Sequence, residues 1–229
     1  MTAGRTIAIG DIHGCSIALR TLLETLELSQ DDTLVMLGDA IDRGPDSRDV
    51  VEQLIAASEV CQFVPILGNH EQMLLDSVDG RVPLQDWLIH GGAETLDSYG
   101  PGAALGEVPE EHLDFVRSWG DYHEAENHFF AHGNYLPKKP LNKQPWEEMR
   151  WRSLHFFMPG PHVSDKIAVV GHTSNKRGRV ANYGHIVCID TYCHGGGWLT
   201  ALEPATGKVW QTNDAGSGEV QASTLPAEV

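Results

Sequence analysis

The chain has 229 residues, 41% hydrophobic and 21% charged. That suits one large domain with a substantial core and room for an inserted cap. The formal charge is −16 and no basic stripe is visible, which argues against nucleic acid as a partner. Four cysteines without C-x-x-C spacing exclude a disulfide scaffold, Met1–Gly10 shows no secretory pattern, and no apolar segment approaches membrane-spanning length. The expectation is a soluble cytoplasmic protein with reduced thiols and no membrane partner.

In chain order, Thr6–Ile9 reads as a short apolar strand that runs into Gly10-Asp11-Ile12-His13-Gly14. An Asp and a His two apart on extended backbone lie on the same side and can point at one ion. Ser16–Leu28 carries a helical stripe, Ile17, Leu19, Leu22, Leu23 and Leu26. The next strand, Leu34–Leu37, ends in Gly38-Asp39, and Asp42-Arg43-Gly44 follows. Asp46 or Ser47 caps a helix running to about Ser58. A third strand, Phe63–Leu67, ends in Gly68-Asn69-His70-Glu71. Three strand–loop units recur at about thirty residues, the spacing of successive βα units, so the class is α/β.

From Gln72 to residue 127 the pattern is mostly helical with Gly and Pro breaks, read as a cap insertion over the strand ends. The second half is strand-rich. His128–Phe130 leads to His132, Lys166–Val170 to His172, and His185–Ile189 to Asp190. Lys138–Pro159 is read as a loop region, and Trp198–Leu202 with Lys208–Gln211 as a terminal hairpin. Domain 1–212 would then precede a frayed tail, 213–229. The short basic clusters Lys138-Lys139 and Lys176–Arg179 are read as solvated loop charges before substrate-steering patches.

The strand ends together supply Asp11, His13, Asp39, Asn69, His132 and His172, enough oxygen and nitrogen donors for two divalent ions. A mixed imidazole and carboxylate set suits Mn, Fe or Zn better than Mg or Ca. Two such ions about 3.5–4 Å apart can hold a hydroxide for in-line attack at phosphorus. Asp39 is the expected shared carboxylate. His70 follows a ligand and is placed to protonate a leaving oxygen, with Asp42 orienting its imidazole. Arg43 would grip phosphoryl oxygens. His185 and His194, near Asp190, are read as structural, and Cys15 and Cys188 as small core residues.

These residues resemble a known family. Gly10–Gly14, Gly38–Gly44 and Gly68–Glu71 look like the three signature motifs of the calcineurin-like metallophosphoesterases. The Asp-Arg-Gly and Asn-His-Glu forms resemble its phosphoprotein phosphatase branch. Asn69–Leu74, Trp87-Leu88 and Gly91-Gly92 are similar to the small bacterial and phage lambda-type serine/threonine protein phosphatases. The resemblance implies a sandwich of two mixed β-sheets flanked by helices, with a dinuclear centre at the strand ends. It puts Asp11, His13 and Asp39 on one ion and Asp39, Asn69, His132 and His172 on the other. It makes His70 the general acid paired with Asp42, and Arg43 a phosphate ligand. A second phosphate-binding Arg follows a Trp in that group; here Met149–Ser153 departs from the spacing by one, which favours Arg152 and keeps Arg150 in reserve. Gly133-Asn134 and Tyr192 also depart from the pattern, without touching a ligand position.

The implied function is phosphomonoester hydrolysis with two divalent ions, Mn first, on a phosphorylated protein or a small phosphoester. The rival is a symmetrical bis(5'-nucleosyl)-tetraphosphatase or another nucleotide phosphoesterase; Asp42-Arg43-Gly44 and Glu71 favour the protein phosphatase.

Overall fold

The structure, a computed structural model, describes residues 4–214 and 220–228. Strands β1 (Thr6–Ile9) and β2 (Thr33–Met36) are continuous apolar runs because both of their faces are covered. Ile7, Ile9, Leu34 and Met36 pack with Leu19, Leu22 and Leu26 of α1 (Ser16–Leu26) and Val50, Val51 and Leu54 of α2 (Ser47–Ser58). Ala8, Val35 and Leu37 point the other way, into a second apolar cluster. Helix α2 is capped by Asp46, whose side chain accepts from Asp49 N. Strand β3 (Gln62–Pro65) completes a parallel trio, with Ile9 paired to Met36 and Met36 to Pro65. That register brings the three following loops to one rim.

The segment expected to cap the strand ends comprises α3 (Asn69–Val78), α4 (Leu84–Trp87), α5 (Ala93–Tyr99) and α6 (Glu110–Arg117). Its Trp87, Leu96, Leu113 and Val116 join the same cluster as α2, so it extends the helical layer and reaches the rim at Trp87, Gly91 and Thr95.

The second sheet holds β4 (Tyr122–Glu124), β5 (His128–Ala131), β6 (Ile167–Val170), β7 (Ala181–Asn182) and β8 (Ile186–Cys188), in the order β4-β5-β6-β8-β7. The first sheet is completed by β9 (Leu199–Glu203), β10 (Lys208–Thr212) and β11 (Gln221–Thr224), in the order β11-β10-β9-β1-β2-β3. Both sheets mix parallel and antiparallel pairs. Phe130, Val169 and Val187 of one sheet share a buried cluster with Ala8, Val35 and Leu202 of the other, which makes the sandwich. The outer face of the second sheet packs Phe129, Ala168 and Ile186 against Tyr135, Leu141 and Leu154. No helix among the described residues is long and apolar enough to cross a membrane.

Two expectations need correction. The 213–229 stretch is not uniformly a frayed tail: Gln221–Thr224 pairs antiparallel with β10, Leu225 N donates to Gly207 O, and Asn182 Nδ2 donates to Pro226 O. The physical reason is that β10 offers an open backbone edge, and backbone pairing requires no apolar pattern in the strand that fills it. Residues 215–219 and 229 of that stretch lie outside the described residues. Lys138–Pro159, expected as loop, contains α7 (Trp146–Trp151), a six-residue helix that buries Met149 alone and therefore has no periodic stripe to read.

Candidate metal centre

The parallel strands of both sheets deliver their loops to a shared rim. Register pairs Ala131 with Val170 and Val170 with Cys188, so the loops bearing His132, His172 and Asp190 emerge together. The two sheets are tied there by His132 Nδ1 donating to Leu37 O at 2.7 Å and by His172 N meeting both oxygens of Asp11 at 3.1 Å. Gly38 sits in the left-handed region, φ +94, and a Cβ there would lie 2.7 Å from the Gly68 backbone and from His132 Nδ1. The close approach of the two loops therefore requires glycine. Eight described non-glycine residues have positive φ, and five of them are His13, Asp39, Asp42, Arg43 and His172. That clustering marks stored backbone strain at one place, as functional sites show.

Asp39 lies at the middle of the rim. His13, Asp39 and His70 form one group, and Asp39, His132 and His172 another, each with its donor atoms within 4.8 Å of one another. Asp39 Oδ2 is 3.6 Å from His13 Nε2 and 3.9 Å from His70 Nε2; Asp39 Oδ1 is 3.3 Å from His132 Nε2. His132 Nε2 also lies 3.1 Å from Asn69 Oδ1 and 3.2 Å from His172 Nδ1. The far nitrogens are spoken for: His13 Nδ1 donates to Ile41 O at 2.9 Å and His172 Nε2 to Trp151 O at 3.1 Å. With those nitrogens donating, neutral His13 and His172 turn lone pairs inward, the first met by Arg43 Nη1 at 2.9 Å and the second by His132 Nε2 at 3.2 Å. Together with the oxygens of Asp39 and Asn69 they make a nitrogen and oxygen set that divalent ions such as Mn, Fe or Zn accept.

The charges say the same. Burial pushes the Asp39 carboxyl up, but His132 and His70 outweigh it and hold it well below its ordinary value. Burial opposes protonation of His132 and His70, yet Asp39 draws both upward, with Asp42 adding to His70. His13 is driven well below the ordinary histidine value by burial, and His172 down to about 4 by burial and by the charge of His132. Asp11 is pushed far up by burial, then by Asp190 and Asp39. Positive charge is thus drawn to the space around Asp39.

His70 Nδ1 and Asp42 Oδ2 are 2.7 Å apart, both fully buried. Asp42 also accepts from Trp87 Nε1 at 2.9 Å and from Thr95 Oγ1 at 2.6 Å, while its backbone N–H meets Ser47 Oγ and Thr95 Oγ1. The imidazole is therefore held in one orientation, Nε2 toward Asp39. Glu71 is completely buried and accepts four backbone N–H groups, from Asp39, Ala40, Ile41 and Gly68. It ties the second loop to the third; burial and Asp39 push its carboxyl up to about 7.

The calcineurin-like phosphoesterase family pattern matches residues 4–197. The chain belongs to this family. A curated relative, the symmetrical bis(5'-nucleosyl)-tetraphosphatase of Burkholderia pseudomallei (strain 668), is 29% identical over 137 residues, 58% of this chain and 43% of that protein. The match thus spans less than half the length of the curated relatives. The crystal structure of a candidate diadenosine tetraphosphatase superposes with TM-score 0.66 at 23% identity, covering 99% of this chain and 96% of that one. That of a cold-active protein-tyrosine phosphatase from a psychrophilic Shewanella gives 0.64 at 20% identity, covering 97% and 80%. At these identities the solved structures establish the fold, the two-sheet sandwich of this family of metal-using phosphoesterases.

Within this calcineurin-like frame the structure brings together His13, Asp39, Asn69, His70, His132 and His172. Asp11 stands outside both groups and is joined to them through the His172 amide. Arg43 is exposed with Nη1 2.9 Å from His13 Nε2. Arg150 is locked by Asp121 and by Gln72 Oε1, whereas Arg152 is exposed, 3.5 Å from Glu148 and over the ring of Phe157. Of the two arginines, Arg152 is the freer to meet a substrate. His185 bonds Pro159 O, and His194 packs edge-on against the His13 ring at 4.7 Å. Sequence reasoning missed the work of Glu71, Trp87 and Thr95. Glu71 lies in a motif and Trp87 in a stretch that resembles the lambda-type phosphatases, a signal for both; Thr95, 53 residues from Asp42, carries none.

Proposed function

We propose that this calcineurin-like phosphoesterase is a divalent-metal-dependent phosphomonoesterase that acts on phosphoserine and phosphothreonine in proteins. The observation that carries the reading is the buried His70–Asp42 pair at 2.7 Å, its imidazole aimed at the Asp39 centre. In this reading Asp11, His13 and Asp39 hold one ion, and Asp39, Asn69, His132 and His172 the other, with Mn the expected metal and Fe or Zn the alternates. When bound, the ions supply an activated water and neutralise phosphoryl charge. The chain's own residues do the rest. Asp42 keeps His70 protonated, so Nε2 can give its proton to the departing seryl or threonyl oxygen. Trp87 and Thr95 fix Asp42, and with it the position of that proton. Arg43 leaves His13 to take two phosphoryl oxygens, and Arg152 takes another from the far side.

A second reading, hydrolysis of symmetrical dinucleoside tetraphosphates, is favoured by the Burkholderia relative. The test is a substrate panel on chelator-stripped protein with Mn restored: phosphoserine, phosphothreonine and phosphotyrosine peptides and a dinucleoside tetraphosphate. Metal-dependent release of phosphate from the serine and threonine peptides is expected. A dinucleoside tetraphosphate turned over tenfold faster than any peptide would move the assignment to the second reading. No metal-dependent turnover of any of them would end both.

A further inference from the structure

A cavity of about 470 Å³ lies beside the centre, with walls that include Leu154, His155, Met158, Tyr183, Lys176 and Arg177. The volume falls within the range of small-ligand pockets, roughly 300–1,000 Å³. The turn 171–174 divides it from the metal centre. His172 goes to the histidine group, while Thr173 and Ser174 line the cavity. Consecutive Cα atoms are ~3.8 Å apart, so the cavity wall begins one residue from a proposed ligand. The opposite wall is tied to the same turn: Leu154 N donates to Thr173 Oγ1 at 2.9 Å, and Trp151 O takes His172 Nε2. Arg152 sits on this connecting segment.

The chemistry of the cavity is two-sided. Leu154, Met158, Ala181 and Tyr183 are apolar or aromatic, and Lys176 and Arg177 are exposed cations. Four exposed arginines elsewhere are matched with carboxylates, Arg20 with Asp49, Arg48 with Glu52, Arg81 with Asp76 and Arg117 with Glu110, whereas Arg43 at the metal centre and Arg179 beside the cavity segment are not. Lys176 and Arg177 make no ion pair with a carboxylate among the described residues; Lys176 Nζ lies 5.8 Å above the Tyr192 ring. On a chain of net charge −16, two unmatched cations beside a phosphate-handling site are complementary to an anion on the substrate. Apolar surface also continues past the cavity. Phe156 is 87% exposed, and Trp151 and Met158 of the same chain segment are exposed as well. Such a strip suits an extended chain better than a compact small molecule.

We propose that this cavity is a specificity subsite for the residues next to the phosphorylated side chain, taking an apolar side chain with an acidic one beside it. The proposal rests on the phosphoprotein reading above. It is tested with two phosphothreonine peptides that differ only in the flanking pair, Leu-Glu in one and Ser-Lys in the other. Each is assayed with the Mn-loaded full chain and with the double variant Lys176→Glu, Arg177→Glu. The readout is the ratio of kcat/KM for the two peptides, which cancels any loss of folded enzyme. The wild type should favour the Leu-Glu peptide about tenfold, and the charge reversal should abolish or invert the preference. Equal kcat/KM for the two peptides in the wild type, or a preference that survives the reversal, would overturn the subsite while leaving the phosphoprotein reading in place. Turnover of neither peptide beside turnover of a dinucleoside tetraphosphate would remove that reading, and the subsite with it.

Discussion

Just before β2, Asp32 is buried among five donors: Arg5 N, Nε and Nη2, and Ser29 N and Oγ. Arg5 stands just before β1, so this carboxylate clamps the amino ends of two strands and carries its own counter-charge. At the carboxyl ends of β1, β2 and β3 the arrangement is different. Asp11, Asp39, Asp42 and Glu71 are all buried, Asp190 joins them from the other sheet, and the guanidinium nearby, Arg43, is exposed and turned to His13. Asp39 is kept ionised by histidines, while Asp11 is crowded upward by burial and by Asp190. One end of the sheet is neutralised internally and contributes stability; the other leaves a demand for positive charge, which is where a cation and an anionic substrate can act. Burying carboxylates is costly at both ends; the first offsets the cost with its own residues, whereas the second does so for Asp39, Asp42 and Glu71 and leaves Asp11 crowded.

If this contrast is right, substitutions at the two ends should separate activity from stability. Asp39→Ala should have the largest effect, a loss of metal-dependent phosphatase activity well beyond the roughly 100-fold typical of an outer partner. His70→Asn should come next. Its cost should be about 10²–10⁴-fold in kcat on a phosphoserine peptide and much less on an aryl phosphate, whose leaving group needs no proton. Equal losses on the two substrates would contradict a general acid at His70.

Asp42→Asn should cost about 10–100-fold. Because Asp39 and Asp42 together hold His70 above the ordinary histidine value, and a general acid works below its own pKa, the alkaline limb of kcat should move to lower pH in this variant. An unmoved limb would remove Asp42 from that role.

At the other end, Asp32→Ala should leave kcat near wild type and lower stability by roughly 1–3 kcal/mol, the cost of stranding buried donors. By thermal unfolding that is a fall of roughly 2–10 °C. The hydrogen bond from the Arg5 side chain holds the Asp32 carboxyl below the usual carboxylate range. A depressed folded-state pKa gives stability that is present above the unfolded value, about 3.9, and lost as pH falls below it. The difference between wild type and Asp32→Ala should therefore shrink in acid. The smallest change in stability is expected of Asp11→Asn. In chelated protein above neutral pH it should raise stability by about 0.5–2 kcal/mol by removing one crowded carboxylate, while lowering activity.

What could be read from the sequence divides along physical lines. β1 and β2 were legible because both of their faces are apolar, and the donors after them because metal-competent side chains follow glycine at a strand end. The support around them was not. Trp87 and Thr95 reach Asp42 across 45 and 53 residues, a distance set by helix packing. Glu71 looked like a family marker, yet its four backbone N–H partners make it the clasp between two loops. β11 pairs through its backbone, all four residues exposed, and β4 and β7 span three and two residues, too short for an alternation to show. The cavity beside His172 was foreshadowed only by the basic cluster 176–179, because its apolar walls come from three separated segments.

The most direct measurement is metal stoichiometry on chelator-stripped protein, by titration calorimetry with Mn and elemental analysis after dialysis, for wild type and Asp39→Ala. Two ions per chain are expected in the wild type, with at least one lost in the variant. Absence of binding, or binding left unchanged without Asp39, would show that the acidic end of the sheet is balanced within the protein after all.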